Sequence, residues 1–170
     1  MLPKHTLILL RHGKSDWSAE VDDFHRPLNK RGEKSVPKVG KWLKDHGPLP
    51  DRIISSPAER AWRTARLMAR ALGLEESEII REQRVYESGL EDLVAVIDSY
   101  CGDTDCLMIV GHNPGLDELL MHLSATPPPR NETGKLMTTG AMAILDYASQ
   151  PISSGAGSAE LKELKRPKEL

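Results

Sequence analysis

The chain has 170 residues, a length that suits one domain and leaves little core for two. Hydrophobic residues make up 39% and charged residues 28%, a balance that excludes a disordered chain. The 23 Lys and Arg against 25 Asp and Glu give a net charge of −2, which lacks the basic excess of a general nucleic-acid binder but leaves room for a local cationic pocket.

Thr6–Leu10 is the only apolar run near the N-terminus, too short for a signal-peptide core or a membrane span. Cys101 and Cys106 show no metal-ligand spacing. The expectation is a reduced, cytoplasmic protein that meets neither membrane nor nucleic acid, with residues 1–170 forming a single domain.

Short apolar runs alternate with helical patterns, which predicts an α/β fold. The first strand is His5–Leu10, closed by Arg11-His12-Gly13, and a polar loop, Lys14 to Pro27, follows. Val36, Val39 and Leu43 recur at helical spacing, and Pro37 implies that this helix kinks there or starts near Ser35. Arg52–Ser55 is a second strand. Ser56, Pro57 and Glu59 then read as cap, first helical residue and capping-box partner, with Ala61, Ala65, Met68 and Leu72 as the apolar face and Gly73 as the stop. Ser88 repeats the capping signal before the stripe of Leu90, Leu93, Val94 and Ile97. Cys106–Val110 reads as a buried central strand. Asn113 and Pro114 open another helix, with Leu116, Leu119, Leu120 and Leu123 facing inward. Ala125–Lys135 is a Pro-rich loop, and Ala141–Tyr147 and Leu161–Lys165 are two closing strands.

Three signals share one context. Arg11-His12 follows a strand, Arg60 lies in the first turn of a helix that follows a strand, and His112 stands between a strand and a helix. Ligands of open α/β sheets bind beyond the carboxyl ends of the strands, where helix N-termini favour anions. Two arginines and two histidines at that edge describe an oxyanion pocket. Phosphate fits it, because guanidinium groups match its oxygens bidentately.

These segments carry a resemblance. Leu9-Leu10-Arg11-His12-Gly13-Lys14-Ser15, Arg26-Pro27-Leu28-Asn29-Lys30-Arg31-Gly32, Ser55-Ser56-Pro57-Ala58-Glu59-Arg60-Ala61 and Val110-Gly111-His112-Asn113-Pro114-Gly115, with Thr139-Gly140-Ala141 and Arg166-Pro167, resemble the histidine phosphatase superfamily in order and spacing. Within it the chain is most similar to the short SixA-like phosphohistidine phosphatases. The resemblance implies a phosphoglycerate-mutase-like three-layer α/β/α fold with a mostly parallel central sheet. It also implies a phosphohydrolase that works through a covalent phosphohistidine. His12 matches the nucleophile, Arg11 and Arg60 the pocket arginines, and His112 the second histidine. Arg26 matches a further phosphate-contacting arginine. Lys14, Asn29 and Thr139 are rim candidates.

The chemistry stands without the resemblance. A neutral imidazole attacks phosphorus well and leaves readily, which splits one hard hydrolysis into two easier steps. The transition state needs positioning and charge neutralisation, which three arginines and a histidine supply without a metal or other cofactor. The substrate that the resemblance implies is a phosphohistidine in a protein. One alternative is a small phosphate ester. The other is a phosphoprotein-binding module without catalysis, whose signature, a missing nucleophile or arginine, is absent. Phosphoglycerate mutation is disfavoured because mutases of the superfamily are longer. Glu87 has two readings of equal weight. Many phosphoesterases of the superfamily carry a proton-donating carboxylate in a comparable segment, whereas an acid before a helix also simply favours its N-terminus.

Overall fold

The computed structural model describes residues 4–170. Ten main elements follow one another: β1 (Thr6–Arg11), α1 (Lys30–His46), β2 (Arg52–Ser55), α2 (Glu59–Leu72), β3 (Ile80–Arg81), α3 (Leu90–Tyr100), β4 (Cys106–Gly111), α4 (Gly115–Leu123), β5 (Met142–Asp146) and β6 (Glu160–Lys165). The strands form one sheet in the order β3-β2-β4-β1-β5-β6. The first four in that order are parallel, β5 runs against β1, and β6 runs against β5. The sheet is therefore mostly parallel, with β5 alone reversed.

Strand periodicity divides the core into two layers. Leu7, Leu9, Ile54, Leu107, Ile109, Ala143 and Leu145 face one side and pack with α3 and α4. Ile8, Leu10, Ile53, Met108, Val110, Met142 and Ile144 face the other and pack with α1 and α2. Both faces are covered, which is why the central strands read as continuous apolar runs rather than alternating ones. This is the three-layer α/β/α architecture that the sequence implies.

Helix boundaries differ from the sequence reading at four places. Helix α1 starts at Lys30, five residues before Ser35, and continues through Pro37. The Asn29 side chain accepts the Gly32 N–H at 2.9 Å and closes the first turn. Burial of Val36, Val39 and Leu43, each worth about 1.5–3 kcal/mol, outweighs the interior proline. Gly40 lets α1 approach α2 closely, since a β-carbon there would lie 2.6 Å from that of Ala71. Second, Ser56 does not cap α2, which begins at Glu59 without a side-chain cap. Its hydroxyl instead accepts the Ala58 N–H at 3.2 Å. Third, α3 is capped at Gly89, whose N–H is accepted by Asp92 at 3.2 Å, while Ser88 donates to the Val85 carbonyl. Fourth, helix α4 begins at Gly115 with Pro114 rather than Asn113 at the cap position, and Asn113, one residue earlier, accepts the Asp117 N–H at 3.1 Å. No described helix is long and apolar enough to cross a membrane.

Candidate active site

Register explains the site. Arg11 pairs with Gly111, and Ser55 pairs with Val110. Continuing that register sets His12 beside His112, with Ser56 one residue behind, level with Gly111, and all three lie at the carboxyl edge. Strand spacing of about 4.8 Å sets the separation of what these ends carry. The rings of His12 and His112 stand 5.1 Å apart, tilted by 54°. Arg60 arrives from the first turn of α2, just beyond the same edge.

The backbone around His12 is tied on every side. Its N–H donates to Gly111, and its carbonyl accepts from Gly140. The Gly13 N–H donates to the Thr64 hydroxyl, which donates in turn to the Arg60 carbonyl. The His12 ring is buried, with Nδ1 2.7 Å from the Gly13 carbonyl. A carbonyl only accepts, so Nδ1 carries the hydrogen and Nε2 keeps its lone pair. Burial pushes the His12 pKa down to about 3, helped by His112, Arg60 and Arg11 and opposed by the Gly13 bond. The imidazole is neutral at physiological pH.

His112 places Nε2 2.8 Å from the hydroxyl of Ser56, which is fully buried. The Ser56 oxygen already accepts from Ala58, and its hydrogen finds a partner in His112 Nε2. Donation in that direction leaves the His112 hydrogen on Nδ1. Burial and the Arg60 charge hold this pKa down to about 3 as well.

Among the described residues, the buried side-chain polar atoms without a partner include Arg11 Nε, Arg60 Nε and His112 Nδ1. Unsatisfied buried donors are costly, about 1–3 kcal/mol each, and call for a partner that completes them. Each arginine is held by another of its nitrogens: Arg11 Nη1 donates to the Met137 carbonyl at 3.0 Å and Arg60 Nη1 to the Asp23 carbonyl at 2.6 Å. Burial lowers the Arg11 pKa, Asp117 raises it, and Arg60 lowers it again.

Asp23 is the residue that sequence reasoning missed. Its carboxylate accepts from Arg60 at 3.1 Å, Arg26 at 2.7 Å and the Tyr86 hydroxyl at 2.6 Å. The Tyr86 bond, then those of Arg26 and Arg60, hold it well below the usual carboxylate range against its partial burial. Tyr86 is pushed up to about 12, by burial first and then by Asp23. An acid three residues before Arg26 was the one available signal, and nothing in the loop fixed where it pointed. Ser56 and Tyr86 were likewise not read as site residues.

Arg26 is buried, donates Nε to the Ser15 hydroxyl at 3.0 Å and lies 3.6 Å above the Trp17 ring. Glu87 is exposed, with φ at 54°, on the rim of a cavity of about 410 Å³ that Asp23, Arg60, Tyr86, His112 and Asn113 also line. Lys14 is half-buried, two residues past His12. Asn29 is engaged in capping α1, so its side chain serves the fold. Thr139 precedes Gly140 in the loop that braces His12. Among the described residues no three His, Cys, Asp or Glu side chains are grouped to hold a metal ion.

Residues 7–94, more than half of the chain, match the family model of the histidine phosphatase superfamily (branch 1). The chain belongs to that superfamily. An uncharacterised chloroplastic protein of Arabidopsis thaliana is 35% identical over 127 residues, 69% of this chain and 58% of that protein. A 2,3-bisphosphoglycerate-dependent phosphoglycerate mutase of Streptomyces avermitilis is 46% identical over 66 residues, 37% of this chain and 26% of the mutase. The chain thus spans less than two thirds of the length of either relative. Among solved structures, the protein histidine phosphatase SixA complexed with tungstate superposes with a TM-score of 0.78 at 20% identity, covering 96% of this chain and 98% of that one. The shared fold is the superfamily's α/β sandwich. Its strand ends carry Arg11, His12 and His112 here, and α2 adds Arg60.

Proposed function

We propose that this protein is a phosphohydrolase that forms a phosphohistidine on His12 and takes its phosphoryl group from a phosphohistidine in a protein. One observation carries the reading. A neutral imidazole with its Nε2 lone pair available stands 5.1 Å, ring to ring, from a histidine whose unpartnered nitrogen joins two unpartnered arginine nitrogens. That donor set complements a phosphoryl group.

His12 Nε2 attacks phosphorus as the bond to the substrate imidazole breaks. Arg11, Arg60 and His112 Nδ1–H donate to the three non-bridging oxygens, where charge concentrates in the transition state. The released imidazolate takes up a proton from solvent, and the attacking water of the second step gives one back. Water then attacks the phosphoryl group on His12, the P–N bond breaks, and inorganic phosphate leaves. Guanidinium charge performs the neutralisation, so activity should survive EDTA, and tungstate, which complexes the structurally similar SixA, should inhibit.

The acid supply favours phosphohistidine over an alkyl ester. Asp23 is held ionised by its three donors and has no proton to give. An imidazole leaving group needs little help, whereas an alkoxide needs a proton as its bond breaks. A second reading, a phosphatase of small phosphate esters, draws on Glu87 at the cavity rim as the acid. Comparing kcat/KM for a phosphohistidine peptide, phosphoserine and phosphotyrosine peptides and small phosphate esters decides between them. Preference for the phosphoserine peptide or a small alkyl ester would overturn the protein-phosphohistidine reading. Quenched turnover should leave an acid-labile, base-stable phosphoryl group on His12, and full activity of His12→Ala would refute the mechanism outright.

A further inference from the structure

Helix α1 carries six Lys or Arg residues against two acids. The chain's net charge is −2, so this helix is a basic strip on an otherwise acidic protein. Lys30, Lys34 and Lys38 repeat every fourth residue, and Arg31 and Lys41 fall on the same outward face. All five are exposed, while Val36, Val39 and Leu43 face the core.

The strip begins close to His12 in the chain. Lys14 stands two residues after His12, and its carbonyl accepts the Asn29 N–H at 2.9 Å. That carbonyl also crowds Gly32 so closely that a β-carbon there would collide with it. Lys14 therefore lies against the first turn of α1, beside Arg31. On the other flank, Pro167 sits 3.0 Å from where a Gly140 β-carbon would be, and Ser35 of α1 lies 3.8 Å from the same point. This seats Lys168 near the helix. Arg166, just before it, donates to the Lys135 carbonyl at 3.5 Å. The Lys14 pKa is lowered first by the charge of Arg31, then by burial, and then by Lys168 and Lys135.

The nearby acids are already engaged. Glu33 pairs with Arg63, Asp45 with Lys41, and Glu169 with Arg166. Among the described residues, no salt bridge forms at Lys14, Lys30, Arg31, Lys34, Lys38, Lys135 or Lys168.

We infer that the outer face of α1, with Lys14, Lys135 and Lys168, is a docking surface for an acidic protein segment next to the phosphorylated residue. The inference rests on the phosphohistidine-protein reading and adds the chemical character of that protein. From Lys30 to Lys41 the strip is about 17 Å long, more than the second phosphate of a small molecule can reach but about five residues of extended peptide. A single-stranded nucleic acid fits less well, because such surfaces interleave aromatic platforms with the cations. The one aromatic residue of α1, Trp42, is half-buried and stacked on His46 at 4.3 Å.

Two synthetic peptides test this. Both carry the same phosphohistidine, one followed by eight Asp and Glu residues and the other by eight Ser and Gly residues. The acidic peptide should show a KM lower by about tenfold at low salt, an advantage that fades as salt screens the charges, with kcat unchanged. Lys34→Glu/Lys38→Glu should abolish the advantage. It should leave the neutral peptide and p-nitrophenyl phosphate untouched, and Lys34→Gln/Lys38→Gln should fall between. Fluorescence anisotropy of the unphosphorylated acidic peptide should show the same loss of binding, which separates docking from turnover. Equal KM values for the two peptides, or an advantage that persists in the Glu variant, overturn the docking surface and leave the phosphohistidine reading standing. Hydrolysis of p-nitrophenyl phosphate with no turnover of either peptide overturns the phosphohistidine reading, and the docking inference with it. Tighter binding of a 5′-phosphorylated single-stranded oligonucleotide than of the acidic peptide assigns the strip to nucleic acid and overturns the inference.

Discussion

Tyr86 donates its phenolic hydrogen to Asp23 across 2.6 Å, joining residues 63 positions apart. The bond makes Asp23 a fixed anion between two cations: Oδ2 meets Arg60 and Oδ1 meets Arg26. Asp23 thereby sets the distance between the two guanidinium groups and keeps the outward nitrogens of Arg60 occupied. The Nε of Arg60 is left buried and without a partner.

Removing the phenol should show in the carboxylate. Tyr86→Phe deletes the largest influence holding the Asp23 pKa down, so that pKa should rise. An NMR titration of the Asp23 side-chain carboxyl carbon reads it directly. The Asp23 side chain is 47% exposed, so solvent screening limits the effect on kcat/KM to about 1 kcal/mol, roughly fivefold. Asp23→Asn should lose more, because Arg26 and Arg60 then repel one another without an intervening anion. An unmoved Asp23 titration in Tyr86→Phe would mean that the phenol does not govern it.

Arg60 and Arg63 share helix α2 but not a role. Arg60 is buried in the site, whereas Arg63 is partly exposed and pairs with Glu33 at 3.0 Å. Arg60→Ala should cost roughly 2.7–4 kcal/mol of transition-state stabilisation, a 10²–10³-fold fall in kcat. Arg63→Ala removes a surface ion pair, worth about 0–1 kcal/mol of stability, and should leave kcat unchanged. Equal losses of kcat at the two positions would move the pocket elsewhere.

Acidification should weaken the fold through the two site histidines. Between pH 6.5 and about 3 an unfolded histidine is protonated, while His12 and His112 stay neutral in the folded protein. The unfolded state binds more protons there, so stability rises with pH across that window and is flat above it. Asp23 acts in the same direction further down: its contribution is present above its unfolded pKa near 3.8 and is lost as pH falls through its lower folded pKa. The urea midpoint should therefore drop from pH 7 to pH 4 and drop less in His112→Gln. A midpoint that rises on acidification contradicts the assignment of neutral buried imidazoles.

Glu87→Gln separates the two substrate readings. If Glu87 is a general acid, phosphoserine-peptide hydrolysis should fall by roughly 10²–10⁴, while phosphohistidine-peptide and p-nitrophenyl phosphate hydrolysis change little. A packing defect would lower all three together, so the ratio is the measurement that matters. We expect the phosphohistidine peptide to be indifferent, because Glu87 is exposed at the rim and the imidazole leaves unaided. A large loss on that substrate would count against this.

Local chemistry made much of the molecule legible. The apolar runs of β1 and β4, the stripes of α2, α3 and α4, and the Gly73 stop follow from periods and caps spanning only a few residues. Arg11, His12, Arg60 and His112 could be placed at one edge because each adjoins a strand-to-helix junction, and such junctions share an edge in any parallel sheet. The start of α1 was obscured because Gly32 and Pro37 interrupt helical spacing. Gly32 is there for the Lys14 carbonyl, a contact outside the helix.

Tertiary structure decided the rest. The 5.1 Å between the two imidazoles depends on the register of β1 against β4, which no local signal encodes. The tautomer of His112 depends on Ser56, 56 residues away, and how far the Asp23 pKa falls below its ordinary value depends on Tyr86, Arg26 and Arg60. Neutral histidines require burial by the whole fold, since imidazole in water titrates near 6.5. The sequence by itself determined which groups reach the sheet edge. Only long-range packing decided their spacing, their protons and their charge, because desolvation and hydrogen bonding are set by neighbours in space rather than in the chain.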